Sequence, residues 1–294
     1  MTYSYYPGCS LHSTGLEYGL STRALFNHLG LELNEVKDWA CCGASSAHAL
    51  DHTLSLALPA YTLSQAQAVG HDLVIPCAAC YNRLRSADHA MRHDHKTRLQ
   101  IETMLDFDYS GSVAIRSVLA VMAEDIGLDR IRDEVRNPLI GLNVVTYYGC
   151  LLLRPPHITQ FDDAENPHVM GDLLRATGAN VRPWSHATDC CGGSLSLSRS
   201  EVVKSLVGRL VERAREAGAD AIVTACPLCQ VNLEMRQTDR LQIPTFYFTE
   251  LLGLAFGLPE ANGWWGRHLI DPRPVLGFKV AAATSAVSGE YSHV

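Results

Sequence analysis

A chain of 294 residues, 47% hydrophobic and 19% charged, can bury a sizeable core in two domains or one large one and is no disordered polymer. Its 24 Lys and Arg against 31 Asp and Glu give a formal charge of −7, leaving no basic excess to neutralise a nucleic-acid backbone. Met1–Gly8 has neither a basic leader nor an apolar core, and no apolar run reaches the roughly 18–20 residues of a membrane helix, so the expected location is cytoplasmic with no membrane span.

The first half opens on a strand, Tyr3–Tyr6, that runs into Gly8-Cys9. A helix follows up to Leu29 and is stopped by Gly30. Strand Leu31–Val36 leads to Cys41-Cys42, a second helix ends near Gly70, and strand Leu73–Ile75 meets Cys77. Residues 81–136 read as helical and charged, with a boundary near Asn137-Pro138.

The second half repeats that order. Strand Leu142–Tyr147 ends at Cys150, a helix over Val169–Thr177 stops at Gly178, and a short strand at Asn180–Arg182 leads to Cys190. The clearest helix comes next. Ser198 with Glu201 three residues on reads as a capping box. Val203, Leu206, Val207, Leu210, Val211 and Ala214 then recur on one face, with Arg209, Glu212, Arg213 and Glu216 on the other. Gly218 ends it, and Ala221–Ala225 reads as a buried strand delivering Cys226. Such alternation predicts an α/β fold: two pseudo-twofold-related, Rossmann-like βαβ halves with parallel sheets, each gathering ligands at its strands' carboxyl ends. The expected division is 1–136, 137–260 and a partly mobile or partner-bound tail, 261–294.

In a reducing compartment, ten cysteines are poor candidates for structural disulfides, and thiol chemistry or metal binding is the better expectation. Their spacing repeats. Cys9, Cys41, Cys42, Cys77 and Cys80 follow C-x31-CC-x34-C-x2-C, and Cys150, Cys190, Cys191, Cys226 and Cys229 follow C-x39-CC-x34-C-x2-C, with none left over. Each single cysteine follows glycine and each CC pair precedes it, which lets backbone approach a bulky inorganic group. A CxxC at the mouth of a helix also places anionic sulfur against the helix N-terminus. Structural zinc takes four ligands, so five thiols are one too many for a single ion. A cubane iron–sulfur cluster takes four as well. Five raises the possibility of a cluster with a thiolate bridging two irons.

The doubled pattern resembles the cysteine-rich CCG domain, and the chain as a whole is similar to the B-subunit family of heterodisulfide reductases. Tyr148-Gly149-Cys150-Leu151-Leu152-Leu153-Arg154-Pro155-Pro156, Phe161–Pro167 and Ala225-Cys226-Pro227-Leu228-Cys229-Gln230 carry the likeness. It implies that all ten cysteines are ligands of two non-cubane 4Fe–4S clusters. It also implies an oxidoreductase that reduces, or forms, a disulfide or sulfane-sulfur substrate, small or protein-bound. Implied partners are a ferredoxin-like C subunit with 4Fe–4S clusters and a flavin-containing A subunit, since no C-x2-C-x2-C-x3-C-P run is present here. Methanogen members often have histidine directly after the cysteine matching Cys150, and often lack glycine after the first CC pair; here these are Leu151 and Gly43, and the substrate stays open.

Arg154, four residues beyond Cys150, is the one expected substrate contact, an anchor for an anionic tail, against a plain surface or charge-balancing role. His89, His93 and His95 read as a solvated helix face, because no carboxylate or cysteine motif accompanies them. Two other functions stay open: an electron-transfer CCG subunit of a glycolate- or succinate-type oxidoreductase, or the B subunit of a bacterial sulfur-oxidising complex. A structural two-zinc scaffold is the third rival.

Overall fold

The computed structural model describes residues 1–44, 47–238 and 242–277. The chain forms two four-stranded, wholly parallel sheets. Strands β1 (Thr2–Tyr5), β2 (Glu32–Glu35), β3 (Leu73–Ile75) and β4 (Ile115–Ser117) lie in the order β2-β1-β3-β4. Strands β5 (Asn143–Tyr147), β6 (Asn180–Val181), β7 (Ala221–Thr224) and β8 (Thr245–Tyr247) repeat it as β6-β5-β7-β8.

Strand β3 and the first three residues of β7 are continuous apolar runs because helices cover both faces. Leu73, Val74 and Ile75, and likewise Ala221, Ile222 and Val223, are wholly buried. In each sheet the chain leaves the first strand to one side and returns on the other, so the crevice between β1 and β3, or β5 and β7, is a topological switch point. Cys9 follows β1 and Cys77 follows β3, as Cys150 follows β5 and Cys226 follows β7. The sheet order therefore places each lone cysteine beside its own CxxC.

The helix Ser200–Glu216 buries Val203, Val207, Leu210, Val211 and Ala214, the expected face. Its cap differs from expectation. Arg199 is the N-cap and makes no side-chain cap hydrogen bond, because a 3-10 segment at Gly193–Leu195 and the turn after it start the helix one residue late. Strands β4 and β8, each three residues long, add to the expected elements. Residues 261–277, expected to be part of a mobile tail, pack against the second half, with Trp264 and Trp265 buried. The rest of that tail, 278–294, lies outside the described residues. No described helix is long and apolar enough to cross a membrane.

The halves meet through aromatic and polar contacts. Tyr18 stacks on Tyr247 with ring centroids 4.3 Å apart, and the Ser21 and Thr249 hydroxyls lie 2.6 Å apart. Next to the cysteines, Tyr81 donates to the Thr159 carbonyl at 2.6 Å, and the Asn82 amide donates to the Leu151 and Arg154 carbonyls at 3.0 and 2.8 Å. The helix carrying Cys80 thus holds the loop that carries Cys150.

Candidate metal centre

Cys77 caps the helix Ala78–His93 and Cys226 caps the helix Pro227–Met235, so Cys80 and Cys229 fall on the first turn of each. The backbone N–H groups of Leu228 and Cys229 in the first turn help hold the Cys226 thiol below its usual range, the expected use of a helix N-terminus. The CC pairs lie in loops that the tyrosine before each lone cysteine holds down. Tyr6 Oη donates to the Ala40 carbonyl at 2.9 Å, and Tyr147 Oη donates to the Asp189 carbonyl at 2.6 Å. Burial first, and then the charge of the surrounding thiols, pushes both phenols above their ordinary range, so they remain donors.

All ten cysteines line one cavity of ≈ 340 Å³, together with Ser10, Ala44, Leu151, Gly193 and Ser194 from the loops that follow Cys9, Cys42, Cys150 and Cys191. The cavity has a floor and a rim. Cys42, Cys77, Cys80, Cys191, Cys226 and Cys229 are buried, whereas Cys9, Cys41 and Cys190 are exposed and Cys150 is half-buried. Sulfurs pair at 3.2 Å for Cys42 and Cys80, 3.6 Å for Cys191 and Cys229, and 3.9 Å for Cys150 and Cys190. At the pseudo-twofold, Cys77 and Cys226 lie close enough to shift each other's ionisation.

Within these pairs the hydrogen bond between neighbouring sulfurs lowers one thiol and raises the other. Hydrogen bonds from Cys41 and Cys80 bring Cys42 down to about 4, and Cys150 brings Cys190 down to about 6. Cys191 is lowered by Cys229, and Cys226 falls well below the usual thiol range through Cys229 and Cys77. Cys41 and Cys150, the donors, are raised.

No three His, Cys, Asp or Glu side chains close around one point as a single-ion site among the described residues. Thiols spread in pairs around a volume are instead a donor set for a larger group, with soft, partly ionised sulfur suited to iron–sulfur chemistry. The glycines fit the same purpose. Gly8 has φ +66, and a Cβ there would come within 2.8 Å of Cys80 Sγ; at Gly149, φ +65, the approach to Cys229 Sγ would be 3.1 Å. Changing Gly8 to Ala is expected to displace Cys80 and lower the iron bound by the first half while leaving the second half's share intact, measured as iron per chain. Unchanged iron would show that the cradle tolerates a side chain.

Arg154 is not brought to the cavity. Its guanidinium donates to the Thr188 hydroxyl and the Ala164 carbonyl at 3.3 and 3.2 Å and forms an ion pair with Glu165 at 3.0 Å. Those contacts tie the loop after Cys150 to the one before Cys190. Four residues that the cysteine spacing did not single out belong to the site: Tyr6 and Tyr147, legible as a tyrosine three residues before each lone cysteine, and Arg83 and Asn232, each three residues past its CxxC.

The cysteine-rich domain profile CCG matches residues 3–85 and again 144–234. The chain is similar to the 8-methylmenaquinol:fumarate reductase membrane anchor subunit of Wolinella succinogenes, 29% identical over 279 residues that cover 92% of this chain and 97% of that one. It is similar also to a protein of Archaeoglobus profundus described as like the B subunit of heterodisulfide reductase, 28% identical over 275 residues, 88% of this chain and 92% of that one. Among solved structures, a hypothetical protein from Helicobacter pylori shares the fold with a TM-score of 0.69 at 11% identity over 90% of this chain, which spans half the length of that protein.

Proposed function

From the premise that this chain belongs to the CCG cysteine-rich domain family and carries the domain twice, we propose that it is the catalytic iron–sulfur subunit of a heterodisulfide reductase-like complex. It would reduce, or form, a disulfide or sulfane-sulfur substrate. The observation that carries this reading is the single cavity shared by both cysteine sets, with four thiols at its rim and a pseudo-twofold between the halves. A disulfide has two equivalent sulfur atoms, and a two-sided site suits it.

Each set of five thiols exceeds the four of a cubane, which favours two non-cubane 4Fe–4S clusters, with all ten cysteines as ligands. When bound there, the clusters supply one-electron steps and iron positions open to sulfur. The chain's own residues do the rest. Tyr6 and Tyr147 fix the CC loops, Gly8 and Gly149 leave the space, and Asn82 joins the two walls. The described residues lining the cavity include no Asp or Glu, and the proposed reaction assigns none a role. Electrons would come from a ferredoxin-like C subunit and a flavin-containing A subunit, since the sequence has no ferredoxin-type cysteine run.

Anaerobic purification is expected to give about eight irons per chain, with reduced viologen oxidised only when a disulfide is added. Zinc in place of iron would overturn the proposal. Likeness to the Wolinella subunit over 97% of its length favours a second reading, a subunit that passes electrons onward without opening a disulfide. Full cluster content, with viologen oxidised by a quinone in the presence of a partner subunit and by no disulfide, would select it.

A further inference from the structure

The halves repeat each other at the cysteines but not one helical turn beyond them. Three residues past Cys80 stands Arg83; three past Cys229 stands Asn232. That step returns to the same helix face, so both side chains turn toward the second cysteine of their own CC pair. Asn232 is neutral and well partnered there. Its amide donates to the Cys191 carbonyl at 3.2 Å and lies 3.6 Å from Cys191 Sγ, and its carbonyl oxygen accepts the Ser196 hydroxyl at 2.7 Å.

Arg83 lines the cavity next to Cys42 and is charged at any working pH. Its Nε is buried with no hydrogen-bond partner among the described residues. It is the one Lys or Arg among the described residues lining the cavity, where no Asp or Glu offsets it. His48 also lines the cavity but is exposed to water. A half-buried cation with no carboxylate beside it is costly unless other negative charge, such as sulfur ligands or a reduced centre, lies against it. The cavity offers negative charge to both halves, and a fixed positive charge to the first half alone.

We propose that Arg83 makes the first half's metal centre the easier of the two to reduce, so that an electron entering the pair settles there first. The inference rests on the reading that each cysteine set holds an iron–sulfur centre. Each reduction takes one electron from an external one-electron donor, makes and breaks no bond, and adds one negative charge to the centre. Beside Arg83 that added charge is stabilised by direct attraction in a partly water-excluded site. Beside Asn232 it meets only a dipole. The expected preference for the first half is tenfold or more, which for one electron corresponds to about 59 mV.

A redox titration with dithionite and mediators, followed by electron paramagnetic resonance on the loaded chain, measures this. Chains with Cys191→Ser or Cys42→Ser, each left with one centre, assign the two steps to their halves. Arg83→Asn is expected to lower the first half's potential by about 59 mV, the tenfold preference for one electron, and bring the steps together, while Arg83→Lys keeps them apart. Asn232→Arg is expected to raise the second half's potential on its own, so the test survives if Arg83→Asn fails to bind iron. Normal iron content with potentials unmoved in both Arg83→Asn and Asn232→Arg overturns the inference and leaves the proposed function standing. A native chain without an iron–sulfur spectrum overturns the proposed function as well.

Discussion

Replacing Cys191 with serine is expected to halve the iron bound per chain and to abolish one of the two reduced-state signals. Cys191 is 4% exposed, with its sulfur 3.6 Å from Cys229 and its carbonyl held by Asn232. Serine there offers a harder oxygen that stays protonated where a partly ionised thiol stood, on a backbone that cannot shift to bring it closer. The first set is untouched, because Cys9, Cys41, Cys42, Cys77 and Cys80 are carried by the other sheet. The boundary between the sets is the Cys77–Cys226 approach, so Cys226→Ser is the replacement expected to disturb both signals. Iron and acid-labile sulfide per chain, with anaerobic resonance spectra, measure the outcome. Total loss of iron in the Cys191→Ser chain would mean that the two halves load as one unit.

Replacing His268 with alanine is expected to destabilise the fold by about 3–5 kcal/mol, the scale for breaking a buried charge group by removing one member. The imidazole is fully buried between Glu234, at 3.1 Å from Nδ1, and Glu250, at 2.9 Å from Nε2. Burial alone would lower its pKa, but the charges and hydrogen bonds of Glu250 and Glu234 reverse that and raise it to about 10. Alanine would leave two carboxylates facing each other inside the second half, directly behind the helix that carries Cys229. Denaturant midpoints of the native and His268→Ala chains measure the difference; equal midpoints would show that the carboxylates find other partners.

The same group sets a pH dependence. The folded value of about 10 lies above the ordinary 6.5, so the stability it contributes is fully present below about pH 6.5 and is lost as pH rises through 10. Glu17 adds to the loss at lower pH. Burial, then the charge of Glu250, raises it from 4.5 to about 7, so ionising it weakens the fold between those values. The native thermal midpoint is therefore expected to fall from pH 7 to 10, and that of His268→Ala to fall less.

Much of this molecule is legible in its sequence because it rests on local regularities. The strand Leu73–Ile75 and the run Ala221-Ile222-Val223 are unbroken apolar stretches since both faces are covered, and helices end where Gly30, Gly70, Gly178 and Gly218 supply a positive φ. The doubled cysteine spacing states the duplication outright, since two copies of one fold need ligands at matching places. Strands β4 (Ile115–Ser117) and β8 (Thr245–Tyr247) leave no such trace because neither runs into a cysteine motif, and edge pairing is decided by the neighbouring strand. The packing of residues 261–277 is hidden for a similar reason: His268 is held by two carboxylates that lie 34 and 18 residues away in the chain. The arginines show the division most plainly. Arg154 is close to Cys150 in sequence yet is turned aside by Glu165 and Thr188, while Arg83 carries no motif and lines the cavity. Spacing along the chain determined which residues repeat; only the packing of the two halves against each other decided which side chains face the space between them, because that depends on contacts made across distances no local pattern records.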